Sequence, residues 1–154
     1  MSTSDDCIFC AIAAGDAPAR TVHETDRTTA FLDVNPLARG HTLVVPRTHA
    51  ERLGDLPADD AAELFATVHE LVPAVEAAVD ADATTIGVND GTAAGQEVPH
   101  VHVHVVPRFE GDGGGPIHGV AGARPDLSED DLDAIADRIE AGDGGADATD
   151  ESEA

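Results

Sequence analysis

Residues 100–106 read His100-Val101-His102-Val103-His104-Val105-Val106, three imidazoles alternating with valines. On a helix, positions i, i+2 and i+4 scatter around the axis. On an extended strand they share one face, and the residues between them share the other. The segment is therefore expected to be a strand ended by Pro107, with Val101, Val103 and Val105 in a core and three rings facing one cleft. Neighbouring rings would then stand roughly 6.8 Å apart and the outer two roughly 13–14 Å. That is a poor arrangement for one metal ion on a straight strand, so three different roles are expected. A three-histidine metal site of the H-x-H kind and surface histidines without a role are the competing readings.

The rest of the chain supplies a scaffold for such a strand. The runs Phe31-Leu32-Asp33-Val34 and Thr42-Leu43-Val44-Val45 are bounded by Pro36, Gly40 and Pro46 and read as strands, as does Thr84-Thr85-Ile86-Gly87-Val88. Pro57, Asp59 and Asp60 open a helix whose apolar face carries Ala61, Leu64, Phe65, Val68, Leu71, Val75 and Val79, with Pro73 expected to kink or split it. Residues 7–14 form a short helix candidate closed by Gly15. Strands adjacent in sequence around one long helix predict an α+β fold with an antiparallel sheet. The density of Leu, Ile, Val and Phe falls after Phe109, from 28 in residues 1–109 to 6 in residues 110–154. The domain is therefore drawn over 1–109, followed by an acidic, Gly-rich extension over 110–154. In that extension Ser128, Leu132, Ile135 and Ile139 mark a helix near 128–141 ended by Gly142, and the last residues read as a solvated acidic tail.

Charge narrows the partners. The chain has 31 Asp+Glu against 8 basic residues, all Arg, for a formal charge of −23. Nucleic acid and anionic membranes both require a positive surface, so neither is an expected partner. Acidity without lysine resembles adaptation to molar salt, where the Debye length is about 3 Å and self-repulsion is screened. No run of apolar residues is long enough to span a bilayer, and residues 1–6 are polar and acidic, unlike a secretory leader. A cytoplasmic protein is expected. The two cysteines stand at C-x-x-C spacing, which suits a metal or redox pair, and His49 follows a strand end. A metal-free buried thiol pair and a disulfide remain the alternatives. Upstream of the histidines, Asn89-Asp90-Gly91-Thr92-Ala93-Ala94-Gly95-Gln96-Glu97-Val98-Pro99 is a loop whose glycines allow backbone N–H groups to turn toward an anion.

Taken in order, Cys7-Ile8-Phe9-Cys10, Ala30-Phe31-Leu32-Asp33-Val34, His41-Thr42-Leu43-Val44-Val45-Pro46, Asn89 with Gly95-Gln96, and the histidine alternation resemble the histidine triad (HIT) superfamily of nucleotide hydrolases and transferases. The resemblance covers about residues 7–109. It implies that His102 is a nucleophile forming a nucleotidyl-histidine intermediate at an α-phosphate, that His104 contacts that phosphate and assists the leaving group, and that His100 orients the site. It implies that Gln96 and the amides around Gly95, Glu97 and Val98 hold phosphate oxygens, with Asn89 fixing the loop. Asp33 would accept from ribose hydroxyls, and Phe9 and Val34 would line the base pocket. Cys7, Cys10, His49 and His100 would form a structural zinc site. His41 is expected to be structural, and Arg108 either reaches a distal phosphate or is solvated.

A homodimer is implied, joined mainly by the long helix with its sheets made continuous. Histidine rather than glutamine at position 104 favours hydrolysis over transfer. The substrate would be a phosphoramidate, as the Cys-x-x-Cys end indicates, or a dinucleoside polyphosphate, as Pro107-Arg108 indicates. Two other readings are a metal-dependent hydrolase with zinc on the triad and a non-catalytic nucleotide-binding regulatory module.

Overall fold

The structure, a computed structural model, describes residues 4–153, with side chains over 5–142. Residues 1–3 of the acidic start and residue 154 of the tail lie outside the described residues. Five strands, β1 (Thr21–Glu24), β2 (Thr28–Leu32), β3 (Thr42–Pro46), β4 (Ala83–Gly87) and β5 (Val103–Arg108), form one antiparallel sheet in the order β1-β2-β3-β5-β4. Helix α1 (Ile8–Ala14) precedes the sheet, and α2 (Ala58–Val79) lies between β3 and β4 in sequence. This is the α+β architecture the sequence predicts.

Strand alternation sorts the side chains into two cores. Ala30, Val44, Val103 and Val105 pack with Leu64, Val68, Leu71 and Val75 of α2. Phe31, Leu43 and Val45 turn the other way and pack with Cys7 and Phe9 at the start of α1. β3 is buried on both faces, which is why it reads as an unbroken apolar run. Each fully buried valine contributes roughly 1.5–3 kcal/mol relative to exposure, so this central strand is a firm base for its neighbour β5. A buried hydrogen bond of 2.9 Å between the Thr28 and Thr67 hydroxyls pins β2 to α2.

Local signals explain the helix ends. The Cys7 sulfur accepts from the Cys10 N–H at the start of α1, and Gly15 closes it in the left-handed conformation, φ 83°. Pro73 neither splits nor ends α2, which runs unbroken for 22 residues. Pro73 lies on the exposed side, where the carbonyl that lacks its N–H partner can bond water.

Several strand boundaries differ from the sequence reading. β2 begins three residues earlier than the run starting at Phe31 and ends at Leu32, leaving Asp33 and Val34 beyond the strand. β5 begins at Val103 and includes Pro107, so His100 ends a tight turn, its N–H bonding the Val98 carbonyl, and Val101 and His102 lead into the strand. There the Val101 N–H bonds the Ala50 carbonyl instead of the sheet. Pro107 is tolerated because it needs no ladder hydrogen bond at that position.

Two compact units divide the chain after Pro116. In the second, α3 (Glu129–Glu153) starts as expected: the Ser128 hydroxyl accepts from the Asp131 N–H, and the Asp131 carboxylate accepts from the Ser128 N–H. It passes through Gly142 and continues to Glu153, where an irregular tail was expected. Glycine inside a helix costs about 1 kcal/mol but leaves the hydrogen-bond ladder intact, so it is a weak stop. Among the described residues no helix is long and apolar enough to cross a membrane.

Candidate active site

The triad is built on β5 and its approach, and backbone groups assign a different proton pattern to each ring. A carbonyl can only accept, so His102 must donate its Nδ1–H to the His100 carbonyl at 2.7 Å. Its Nε2 therefore carries a lone pair when the ring is neutral. By the same logic His100 donates Nε2–H to the Pro46 carbonyl at 2.8 Å, leaving Nδ1 bare.

His104 takes its pattern through an intermediary. An amide can only donate, and the Leu37 N–H reaches His41 Nδ1 at 3.0 Å. Neutral His41 thus carries its proton on Nε2, which lies 3.0 Å from His104 Nδ1 and donates to it. His104 is left with its proton on Nε2. Burial is the largest influence pushing both rings toward neutrality, and it lowers His104 to about 4. Asp33, with its carboxylate 3.6 Å from His41 Nε2, acts in the opposite direction and is outweighed by burial. One neighbour of the triad thus offers a lone pair at Nε2 and the next offers a proton at Nε2. The His102 and His104 ring centroids are 4.9 Å apart.

His41 was expected to be only structural, and its link to His104 is not apparent in the sequence. It reaches the site because Gly40 turns the chain at φ 85°, packed so closely that a Cβ there would stand 3.0 Å from Val79 Cγ1.

His100 faces the other way, into a four-donor cluster. Its Nδ1 is 3.2 Å from Cys7 Sγ, 3.5 Å from Cys10 Sγ and 3.2 Å from His49 Nδ1, and Cys10 Sγ is 3.4 Å from His49 Nδ1. Ligand atoms of a tetrahedral zinc with S and N donors stand about 3.3–3.8 Å apart, from metal–ligand distances of about 2.3 and 2.0–2.1 Å. Two thiols and two imidazoles are also the donor set zinc prefers. Burial, with Cys7 adding to it, pushes the Cys10 thiol up to about 12, a penalty that a cation at the centre removes. The residues present fit zinc. His49 Nε2 is buried with no hydrogen-bond partner among the described residues.

A cavity of about 480 Å³ opens before His102 and His104. Phe9, Asp33, Val34 and Asn89 line it, as do Gly95, Glu97 and Val98 of the glycine loop. Phe9 sets its ring edge-on to His102 at 5.1 Å and to Phe31 at 5.5 Å. Gln96 is not among the lining residues. Its Oε1 accepts from the Gly91 N–H at 2.7 Å, and its Nε2 donates to the Glu51 and Val98 carbonyls at 2.8 and 3.0 Å. Its side chain braces the loop, the role the sequence reading gave to Asn89, and its amide groups are engaged there.

Arg108 is neither solvated nor free. It grips Asp112 with Nε and Nη2 at 2.8 and 3.0 Å, and its Nη1 bonds Thr85 and the Gly115 carbonyl. Among the described residues, no lysine or arginine lines the cavity. Among the described residues, no group of three metal-binding side chains includes His102.

Comparison with known proteins agrees with this geometry. Residues 14–111 match the family model described as HIT domain. An uncharacterized HIT-like protein of Methanocaldococcus jannaschii, MJ0866, is 46% identical over 107 residues, 70% of this chain and 82% of that one. The adenylylsulfatase HINT3 of Arabidopsis thaliana is 37% identical over 108 residues, 70% of this chain and 55% of that one. A zinc-bound histidine triad family protein from Mycobacterium smegmatis has a TM-score of 0.68 at 37% identity, covering 91% of this chain and 99% of that one.

Proposed function

Because the chain belongs to the HIT domain family, we propose that it is a nucleotide hydrolase that cleaves at the α-phosphate of a nucleoside phosphate derivative. The observation that carries this reading is the complementary pair of rings, a bare Nε2 on His102 beside a protonated Nε2 on His104. In the first step His102 Nε2 bonds to phosphorus, the bond from phosphorus to the leaving group breaks, and the leaving atom, hydrogen-bonded by His104 Nε2–H, takes one proton from solvent. In the second, water attacks phosphorus, the bond to His102 breaks, and one proton returns to solvent, so the sum is substrate plus water giving nucleoside monophosphate and the protonated leaving group. Amides of residues 95–98 would carry the charge that develops on the phosphoryl oxygens. Asp33 would take the ribose hydroxyls, and Phe9 and Val34 the base.

Among the described residues the cavity contains no arginine or lysine, and the donors of Arg108 are engaged by Asp112, Thr85 and Gly115. This supports a substrate with a single esterified phosphate, a phosphoramidate or mixed anhydride, over a dinucleoside polyphosphate. Zinc, when bound by Cys7, Cys10, His49 and His100, would serve as a structural cross-link and take no part in the steps above. A homodimer is supported by the open edge of β4, with Ile86 exposed, and by the exposed Phe65 on α2.

The test is His102→Ala, measured on adenosine 5′-phosphoramidate at matched zinc content and melting temperature. Turnover should fall at least about 1000-fold, within the range for loss of a nucleophile or base. An unchanged rate contradicts the assignment.

A further inference from the structure

Glu97 is chemically out of place in this cavity. It lines the cavity next to Val98 and two residues from Gly95, in the loop to which the proposed function assigns the phosphate oxygens. An ionised carboxylate has only acceptor oxygens, so it cannot hydrogen-bond a phosphate oxygen and repels it instead. The side chain is exposed and has no ion-pair or hydrogen-bond partner among the described residues. The other acid of the cavity, Asp33, is already occupied: it accepts from the Asn35 N–H at 2.9 Å and faces His41. Arg52, which shares a neighbouring cleft with Glu97, is paired with Asp90 at 3.5 Å. The backbone carrying Glu97 is held in place, because the Gln96 side chain ties the loop to Gly91, Glu51 and Val98. The loop therefore presents an unpaired carboxylate at the wall of a cavity that also holds His102 and His104 and that has no lysine or arginine among the described residues.

We propose that Glu97 is a specificity-determining residue that selects leaving groups bearing a positive charge, with a protonated amine a few bonds beyond the scissile atom as the chemical class. This rests on the reaction proposed above. Cleavage breaks the P–N bond, the leaving nitrogen gains one proton, and the distal ammonium keeps its own throughout while paired with the carboxylate.

Three adenosine 5′-phosphoramidates of matched length test it: one of 1,4-diaminobutane (cationic), one of pentylamine (neutral) and one of 4-aminobutyrate (anionic). Each is assayed with the full chain at the lowest KCl concentration that keeps it folded by circular dichroism. The wild type should show kcat/KM in the order cationic, neutral, anionic. In Glu97→Gln the cationic-to-neutral ratio should fall about tenfold, equivalent to about 1.4 kcal/mol, and in the wild type that ratio should shrink as KCl is raised. Equal ratios in the two proteins, with the pentylamide turned over by both, overturn the role of Glu97 and leave the proposed reaction standing. Failure of the wild type to hydrolyse the pentylamide at all overturns the reaction and this inference with it.

Discussion

Two clusters of potential metal ligands flank His102, one of four side chains and one of three. Cys7, Cys10, His49 and His100 converge on one side, and Asp33, His41 and His104 on the other, each within the reach of a single metal ion. The protons distinguish them. In the second cluster every hydrogen has an assigned place: Leu37 N–H donates to His41, and His41 donates to His104. A metal there would have to displace that chain. In the first cluster the His100 Nδ1 is bare, the two ring nitrogens face each other at 3.2 Å, and the Cys10 thiol is pushed up to about 12, mainly by burial. That arrangement fits a cation. Proximity of ligating residues is therefore weak evidence for a metal, and the backbone groups that assign tautomers are the better guide.

The largest effect separating the clusters should be metal loss. Cys10→Ala is expected to reduce zinc from about one per chain to near zero by elemental analysis and to lower the melting temperature by about 10 °C or more, since structural zinc contributes folding free energy directly. A zinc-free protein with unchanged melting temperature would abolish the distinction. Next, His41→Asn should reduce kcat about 100-fold through loss of the correct His104 proton pattern, while zinc content stays at the wild-type value. Zinc loss in that variant would mean that the two clusters are not independent.

A smaller effect concerns pH. Burial is the main cause that lowers His104 to about 4, below the unfolded value of about 6.5. The unfolded chain therefore binds more protons in this window. The stability contributed is complete above about pH 6.5 and lost as pH falls toward 4. A melting series should show that loss, and His104→Gln should make it shallower; equal slopes would place the titration elsewhere. Smallest and most diffuse is the surface charge. With −23 on the chain, melting temperature should rise from dilute buffer to molar KCl, and a flat response would remove the proposed adaptation to salt.

Much of this was legible in the residues because the signals are local. The His/Val alternation placed His102 and His104 on the side opposite to Val103 and Val105, as observed. Val44 and Val45 marked the central strand, and Ser128 the start of α3. What was not legible depends on long-range partners. β1, with Thr21, Val22 and Glu24 all exposed, is an edge strand without an apolar face to announce it. The bond from His41 to His104 spans 63 positions, and the Gln96 bond to Glu51 spans 45. Arg108 reads as a free cation until the chain turns back to bring Asp112 onto it. Pattern identified which residues are polar and near the site, and the fold determined which of their atoms were still available.

The claim on which the rest stands is that His102 Nε2 takes the nucleotidyl group. The direct measurement is an alkaline quench of the wild-type protein during turnover of an adenosine phosphoramidate, followed by peptide mapping by mass spectrometry. The account predicts an acid-labile adenylyl group on His102. Steady turnover with no nucleotide bound to the protein, or an adduct on any other residue, would contradict it.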